Sequence, residues 1–252
     1  MARHVYHTGG LVLLVLMATA ACGGETPRTP ASAPPGADGP VPVIRLDRVD
    51  HKADPLDEWA RIRARQHGIP ARALRAYGYA TVLLAQARPS CHLGWTTLAG
   101  IARVESDHGR HGGATVAADG VVRPSIRGVA LDGTGGNALI VDASGPAGRT
   151  GYARAMGPFQ FIPDTWTRWG VRADTDARTL IDRLASSNPL ATSDLPGSPD
   201  DIDDAALSAG RYLCAAGGDL ATAQGWRRAV LAYNHSDAYV DRVRAAAVGY
   251  EK

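Results

Sequence analysis

The chain has 252 residues, 45% of them hydrophobic and 21% charged, which is enough apolar content for one sizeable folded domain and too much for wholesale disorder. Lysine and arginine number 27 against 25 acidic residues, a formal net of +2, so the basic footprint of a dedicated nucleic-acid binder is missing. No heptad or short repeat runs through the sequence, which excludes a coiled coil or a repeat array.

Residues 2 to 24 read as an export signal. Arg3 supplies a short basic region, Leu11 to Met17 an apolar stretch, and Ala18-Thr19-Ala20-Ala21 a run of small residues ending at Cys22. The apolar stretch is too short to span a bilayer. A cysteine after small residues resembles a bacterial lipobox, in which the thiol is acylated and becomes the new amino terminus, although Thr19 stands where an aliphatic residue is usual. The alternative is ordinary cleavage near Ala20 or Ala21. The expectation is an exported protein, in the cell wall or at the outer face of the cytoplasmic membrane, anchored there by a lipid on Cys22. Residues 1–22 are thus a leader, and 23–55, rich in Pro, Ala and Gly, a flexible tether. The folded part, 56–252, begins near residue 56.

From there the pattern is mainly helical. Asp57 and Glu58 open a first segment closed by Gly68, and Pro70 precedes a second that runs from Ala71 until Pro89 stops it. Trp95 to His108 reads as a third helix ended by Gly109. Further helices are predicted near 163–169, 203–216, 222–233 and 236–248. Between them, residues 115–145 carry short β-prone runs separated by Gly, Asp and Pro, read as a small sheet or long loop inserted in a helical domain. Setting Cys22 aside leaves Cys91 and Cys214, which in an exported protein most simply pair; two buried free thiols are the alternative. Closing so long a loop stabilises by at most roughly 5 kcal/mol.

Three runs carry chemistry. In the first, Leu98, Ile101, Ala102 and Glu105 fall at i, i+3, i+4 and i+7, so a carboxylate projects from the stripe that packs into the core. Desolvation and a position in the last helical turn both raise its proton affinity, as general-acid catalysis requires. The plain alternative is an acid paired with an arginine such as Arg103 or Arg110. Asp107, roughly 200° around the helix, reads as a solvated end residue. The second run, Arg154 to Trp166, is a tight apolar turn in which the Gln160 amide suits an N-acetyl or hydroxyl group, or is a satisfied core glutamine. The third, Ala232 to Tyr239, ends one helix at Asn234 and caps the next with Ser236. Its Tyr233 and Tyr239 suit sugar rings, with an apolar face and polar edges, or pack in the core.

Taken in order, Glu105-Ser106, Ala155-Met156-Gly157-Pro158-Phe159-Gln160-Phe161-Ile162-Pro163 and Tyr233-Asn234-His235-Ser236 resemble the motifs of lytic murein transglycosylases of the membrane-bound type B family. The resemblance spans about residues 80 to 250 and implies a mainly α, α+β lysozyme-like fold. It implies Glu105 as the catalytic acid and base. Ser106, Met156, Gln160, Phe161, Tyr233, Asn234 and Tyr239 would be substrate-binding residues, with Met156 and Phe161 shaping the cleft floor. Peptidoglycan glycan strands would be the partner and no cofactor is needed. A monomer is expected.

Two departures stand out. Gly151 occupies a position where some members carry a serine, so any help in orienting Glu105 must come from elsewhere. Asp174-Thr175-Asp176-Ala177-Arg178 lacks the Asp-x-Asp-x-Asp-Gly pattern of a calcium loop, and residues 178 to 201 read as a divergent insertion. The implied reaction splits the bond between N-acetylmuramic acid and N-acetylglucosamine and closes a 1,6-anhydro ring. A lysozyme-type muramidase and a wall-binding lipoprotein without turnover are the competing readings. His108 and His111 are spaced three apart without a matching third ligand, so no metal site is predicted. His235 reads equally as packing, cap or contact.

Overall fold

In the computed structural model the described residues are 34–36, 41, 55–136, 138–142 and 151–251. Every described residue belongs to one compact unit within residues 31–252. The leader with Cys22, and the tether apart from residues 34–36, 41 and 55, lie outside the described residues.

Eight α-helices make up most of the described chain: α1 Pro55–His67, α2 Ala71–Ala87, α3 Trp95–Ser106, α4 Pro163–Trp169, α5 Ala177–Ala185, α6 Ile202–Gly217, α7 Ala223–Tyr233 and α8 Asp237–Gly249. Two small antiparallel ribbons accompany them: β1 Thr115–Val116 with β2 Val122–Arg123, and β3 Val141–Asp142 with β4 Gly151–Tyr152. The insertion is therefore two ribbons rather than one sheet, and the second reaches past residue 145. No helix among the described residues is long and apolar enough to cross a membrane.

The helix starts follow their caps. The Asp201, Thr222 and Ser236 side chains accept backbone N–H bonds at the starts of α6, α7 and α8, each satisfying a donor that the first turn leaves free. Two expectations need correction. The third helix stops at Ser106 rather than His108, because Asp107 and His108 take left-handed φ of 51° and 59°. That turn carries the His108 ring inward, where Tyr77 Oη and Tyr250 Oη lie 3.1 and 3.0 Å from its two nitrogens. Residues 178–201, read as a divergent insertion with no helix predicted in it, contain most of α5, which buries Leu180 and Leu184.

Helix α3 is the centre of the core. Leu98, Ala99, Ile101 and Ala102 are fully buried, and α8 lies along it. Gly100 allows the close approach: a Cβ there would stand 2.8 Å from Val243 O and 3.1 Å from Ala247 Cβ. Cys91, just before α3, forms a disulfide with Cys214 of α6, tying the entry to α3 to a second helix of the core.

The proposed tether is not free along its whole length. Pro34, Pro35 and Gly36 are buried, and Gly36 N donates to Glu251 Oε1 at 2.5 Å. Composition predicts a solvated spacer; the backbone of Gly36, at φ +77°, instead fits against Gly94 and Thr96 at the start of α3.

Candidate active site

Glu105 sits in the last turn of α3, and its neighbours come from α7 and α8. Because α8 lies so close on Gly100, Tyr239 of its first turn reaches the carboxyl and donates its hydroxyl to Glu105 Oε1 at 2.5 Å. Tyr239 is 2% exposed. Burial pushes the Glu105 carboxyl from an ordinary 4.5 up to about 7, against the opposing Tyr239 hydrogen bond and the charge of Arg242. Desolvation wins because the ionised carboxylate loses more hydration than one hydroxyl and one exposed guanidinium restore.

Arg103 and Arg110 do not serve Glu105. Both place guanidinium nitrogens on Asp107, so Asp107 is an ion-paired residue at the helix end and Glu105 forms no salt bridge with a described residue. Burial, Tyr239 and Arg242 set its proton affinity, and no second carboxylate among the described residues contributes.

The second run forms a tight turn beside this helix end. Met156 and Phe161 exchange backbone hydrogen bonds, Met156 N to Phe161 O at 2.8 Å and Phe161 N to Met156 O at 3.0 Å. Gly157, at φ +70°, is required: a Cβ there would stand 1.7 Å from Pro199 O. Gln160, also at positive φ, donates Nε2 to Gly157 O at 2.8 Å. Its Oε1 lies over Gly128, 3.2 Å from where a Cβ on that residue would stand. Phe161 is 2% exposed and packs its ring edge against Trp166 and Tyr233; Met156 is half-buried beside it.

Hydrogen bonds join the three runs. Ser106 Oγ donates to Pro158 O at 2.6 Å and accepts from Gly109 N at 2.8 Å. Tyr233 Oη donates to Phe159 O at 2.7 Å, and Tyr239 bonds Glu105. Ser106 is thus a strut: at 2% exposure with its hydroxyl engaged twice, it offers no surface to a substrate, which corrects the expectation that it binds one. Asn234 caps α7, and its exposed side chain makes no hydrogen bond to a described residue. His235 is also exposed.

Sequence reasoning missed Arg242, whose guanidinium carbon lies 6.0 Å from the Tyr239 ring centroid. A lone arginine on an amphipathic helix reads as solvated, so no pattern marks it. Elsewhere, His108 is committed to Tyr77 and Tyr250, and burial with the nearby Arg110 and Arg103 charges lowers it to about 3, which keeps it neutral. Asp176 caps α5. Among the described residues no group of three or more His, Cys, Asp or Glu could hold a metal ion. A hollow of about 540 Å³ opens between α2 and the 197–204 segment. Its Arg72 and Asp203 are bidentately paired, and Glu105 is not in its lining.

No family model matches the chain, and comparisons with characterised proteins and with solved structures return no match.

Proposed function

We propose that the chain is a peptidoglycan lytic transglycosylase of lysozyme-like fold. The observation that carries the reading is one half-buried acid, its proton affinity raised to about 7, at the point where three separate sequence runs are hydrogen-bonded to one another. Glycosidases with two catalytic carboxylates need a second acid facing the first; the surroundings of Glu105 favour a substrate-assisted route instead.

In that route Glu105 donates its proton to the oxygen joining N-acetylmuramic acid to N-acetylglucosamine. The bond from that oxygen to the muramic anomeric carbon breaks, and the neighbouring N-acetyl carbonyl stabilises the cation. The ionised Glu105, accepting a hydrogen bond from Tyr239, then takes the proton of the muramic C6 hydroxyl while its oxygen closes the 1,6-anhydro ring. The proton taken equals the proton given, so the enzyme returns to its starting state without water entering. Half-buried Met156 is left to face the glycan; Phe161 and Tyr239, each 2% exposed, support the site from beneath rather than touch substrate, and exposed Asn234 is free to hydrogen-bond the glycan. Export and a lipid on Cys22 would place the site beside its polymer.

Digestion of purified peptidoglycan with mass analysis of the products tests the reading. Anhydro ends are expected from the wild type and no products from Glu105→Gln. Products one water heavier would assign a muramidase, and lysis by Glu105→Gln would remove Glu105 from the chemistry.

A further inference from the structure

Arg242 follows Tyr239 by three residues on α8, so the two side chains rise from the same face of the helix. Tyr239 holds Glu105 Oε1, and the exposed Arg242 guanidinium stands 6.0 Å from the Tyr239 ring, close enough for its charge to act on the half-buried acid. Nearby cations are engaged: Arg103 and Arg110 on Asp107, and Arg227 on Asp237. Arg242 is exposed and forms no ion pair or hydrogen bond with a described residue.

That placement works against the chemistry proposed for Glu105. A fixed positive charge on the rim favours the ionised carboxylate, whereas the first step needs the acid. An anion bound to the guanidinium would cancel the conflict in the complex while leaving it in the free protein. A planar fork of N–H donors also suits a carboxylate better than it suits a neutral hydroxyl or amide.

We infer that Arg242 is an anion subsite of the cleft, taking a carboxylate carried by the glycan beside the scissile bond and so selecting acidic over neutral saccharides. The inference rests on the glycan-cleaving reading of Glu105. Two sources share this chemistry, the acidic ether substituent of the sugar itself and the peptide attached to it. Since the pair forms at an exposed rim, its effect is modest and falls mainly on binding.

The test compares three saccharides: neutral N-acetylglucosamine oligomers, wall glycan stripped of peptide, and peptide-bearing glycan. Calorimetric binding is measured in the Glu105→Gln background, with and without Arg242→Gln, and turnover in the otherwise wild-type chain. Arg242→Gln is expected to lower the preference for carboxylate-bearing over neutral saccharide about threefold, through Kd and KM rather than kcat, with Arg242→Lys recovering part of it. Loss confined to peptide-bearing strands assigns the peptide carboxylate; loss on stripped strands as well assigns the sugar's own. An unchanged preference, an equal loss on the neutral oligomer, or no saccharide binding at all overturns the inference. Preserved binding preference in a wild type that turns nothing over breaks the catalytic reading alone.

Discussion

At Glu105 two demands on one residue conflict. Protonated, the carboxyl is nearly neutral to its buried site; ionised, it must be held by Tyr239 against the loss of water. Its folded proton affinity, near 7, lies above the ordinary 4.5 of an unfolded chain. Its stabilising contribution is therefore fully present below about pH 4.5 and is lost as pH rises through 7. At roughly 1.4 kcal/mol per tenfold, ionised Glu105 burdens the fold by about 3 kcal/mol above neutrality. Glu105→Gln keeps an acceptor for Tyr239 and removes that burden. It is expected to be inactive yet more stable than wild type at pH 8, the difference vanishing near pH 4 in denaturant titrations; equal stability at both pH values would sink the argument. Tyr239→Phe takes away the hydrogen bond that favours the carboxylate, a contact of about 1.5–3 kcal/mol. The alkaline limb of the activity profile should then rise by about one pH unit, and an unmoved limb would show that the bond does not act on Glu105. Helical spacing alone made Glu105 legible, because an acid on an apolar stripe breaks the pattern. The bond from Tyr239 was not, since it depends on how closely α8 crosses Gly100, and Ser106 was misread because a strut and a ligand look alike in sequence.

The elements that hold this site in place include one that composition hid. Helix α6 carries Asp204, Ser208 and Arg211 at i, i+4 and i+7 among apolar residues, all buried, a stripe that reads as a polar edge. In the structure it is a row of anchors for the 169–198 segment. Asp204 accepts from Ala173 N and Ser198 N, each at 2.7 Å, and Ser208 Oγ from Val171 N at 3.0 Å. Arg211 donates to the carbonyls of Trp169, Asn188 and Pro189. The helix boundaries of α1, α2, α4 and α6 to α8 were legible to within about two residues from caps, glycines and prolines, because those signals are local; the end of α3 was not, because left-handed Asp107 and His108 break it before Gly109. Helix α5 was not, since its two buried leucines signal only once α2 is there to receive them. Asp204→Ala strands one buried and one half-buried N–H group and should destabilise by roughly 2 kcal/mol, read as a lower denaturant midpoint. A midpoint within the error of wild type would show that water replaces the carboxylate. Reduction of Cys91–Cys214 acts on the whole domain instead, and is expected to lower stability by about 2–5 kcal/mol.

The fold also relates the site to the way the chain enters the domain. Pro34, Pro35 and Gly36 lie across the start of α3, where Gly36 N meets the Glu251 carboxylate, so the entering segment and the end of α8 meet at one place. Glu105 follows Thr96 by nine positions along α3, a rise of about 14 Å. The seat of residues 34–36 therefore lies at the far end of the helix from the acid. Composition could not reveal this docking, because it depends on backbone shape rather than on side chains to be counted. Gly94 offers a clean break: its backbone, at φ −87° and ψ 144°, accepts any residue, yet a Cβ there would stand 2.3 Å from Gly36 O. Gly94→Ala should expel residues 34–36 and speed amide exchange at Gly36 at least about tenfold, the loss of one charge-assisted hydrogen bond. Turnover at Glu105 should stay within twofold, since no group that touches the acid has moved. If exchange at Gly36 is unchanged, the segment is not seated by this contact; if turnover falls with it, the two ends of α3 are coupled and the separation argued from distance does not hold.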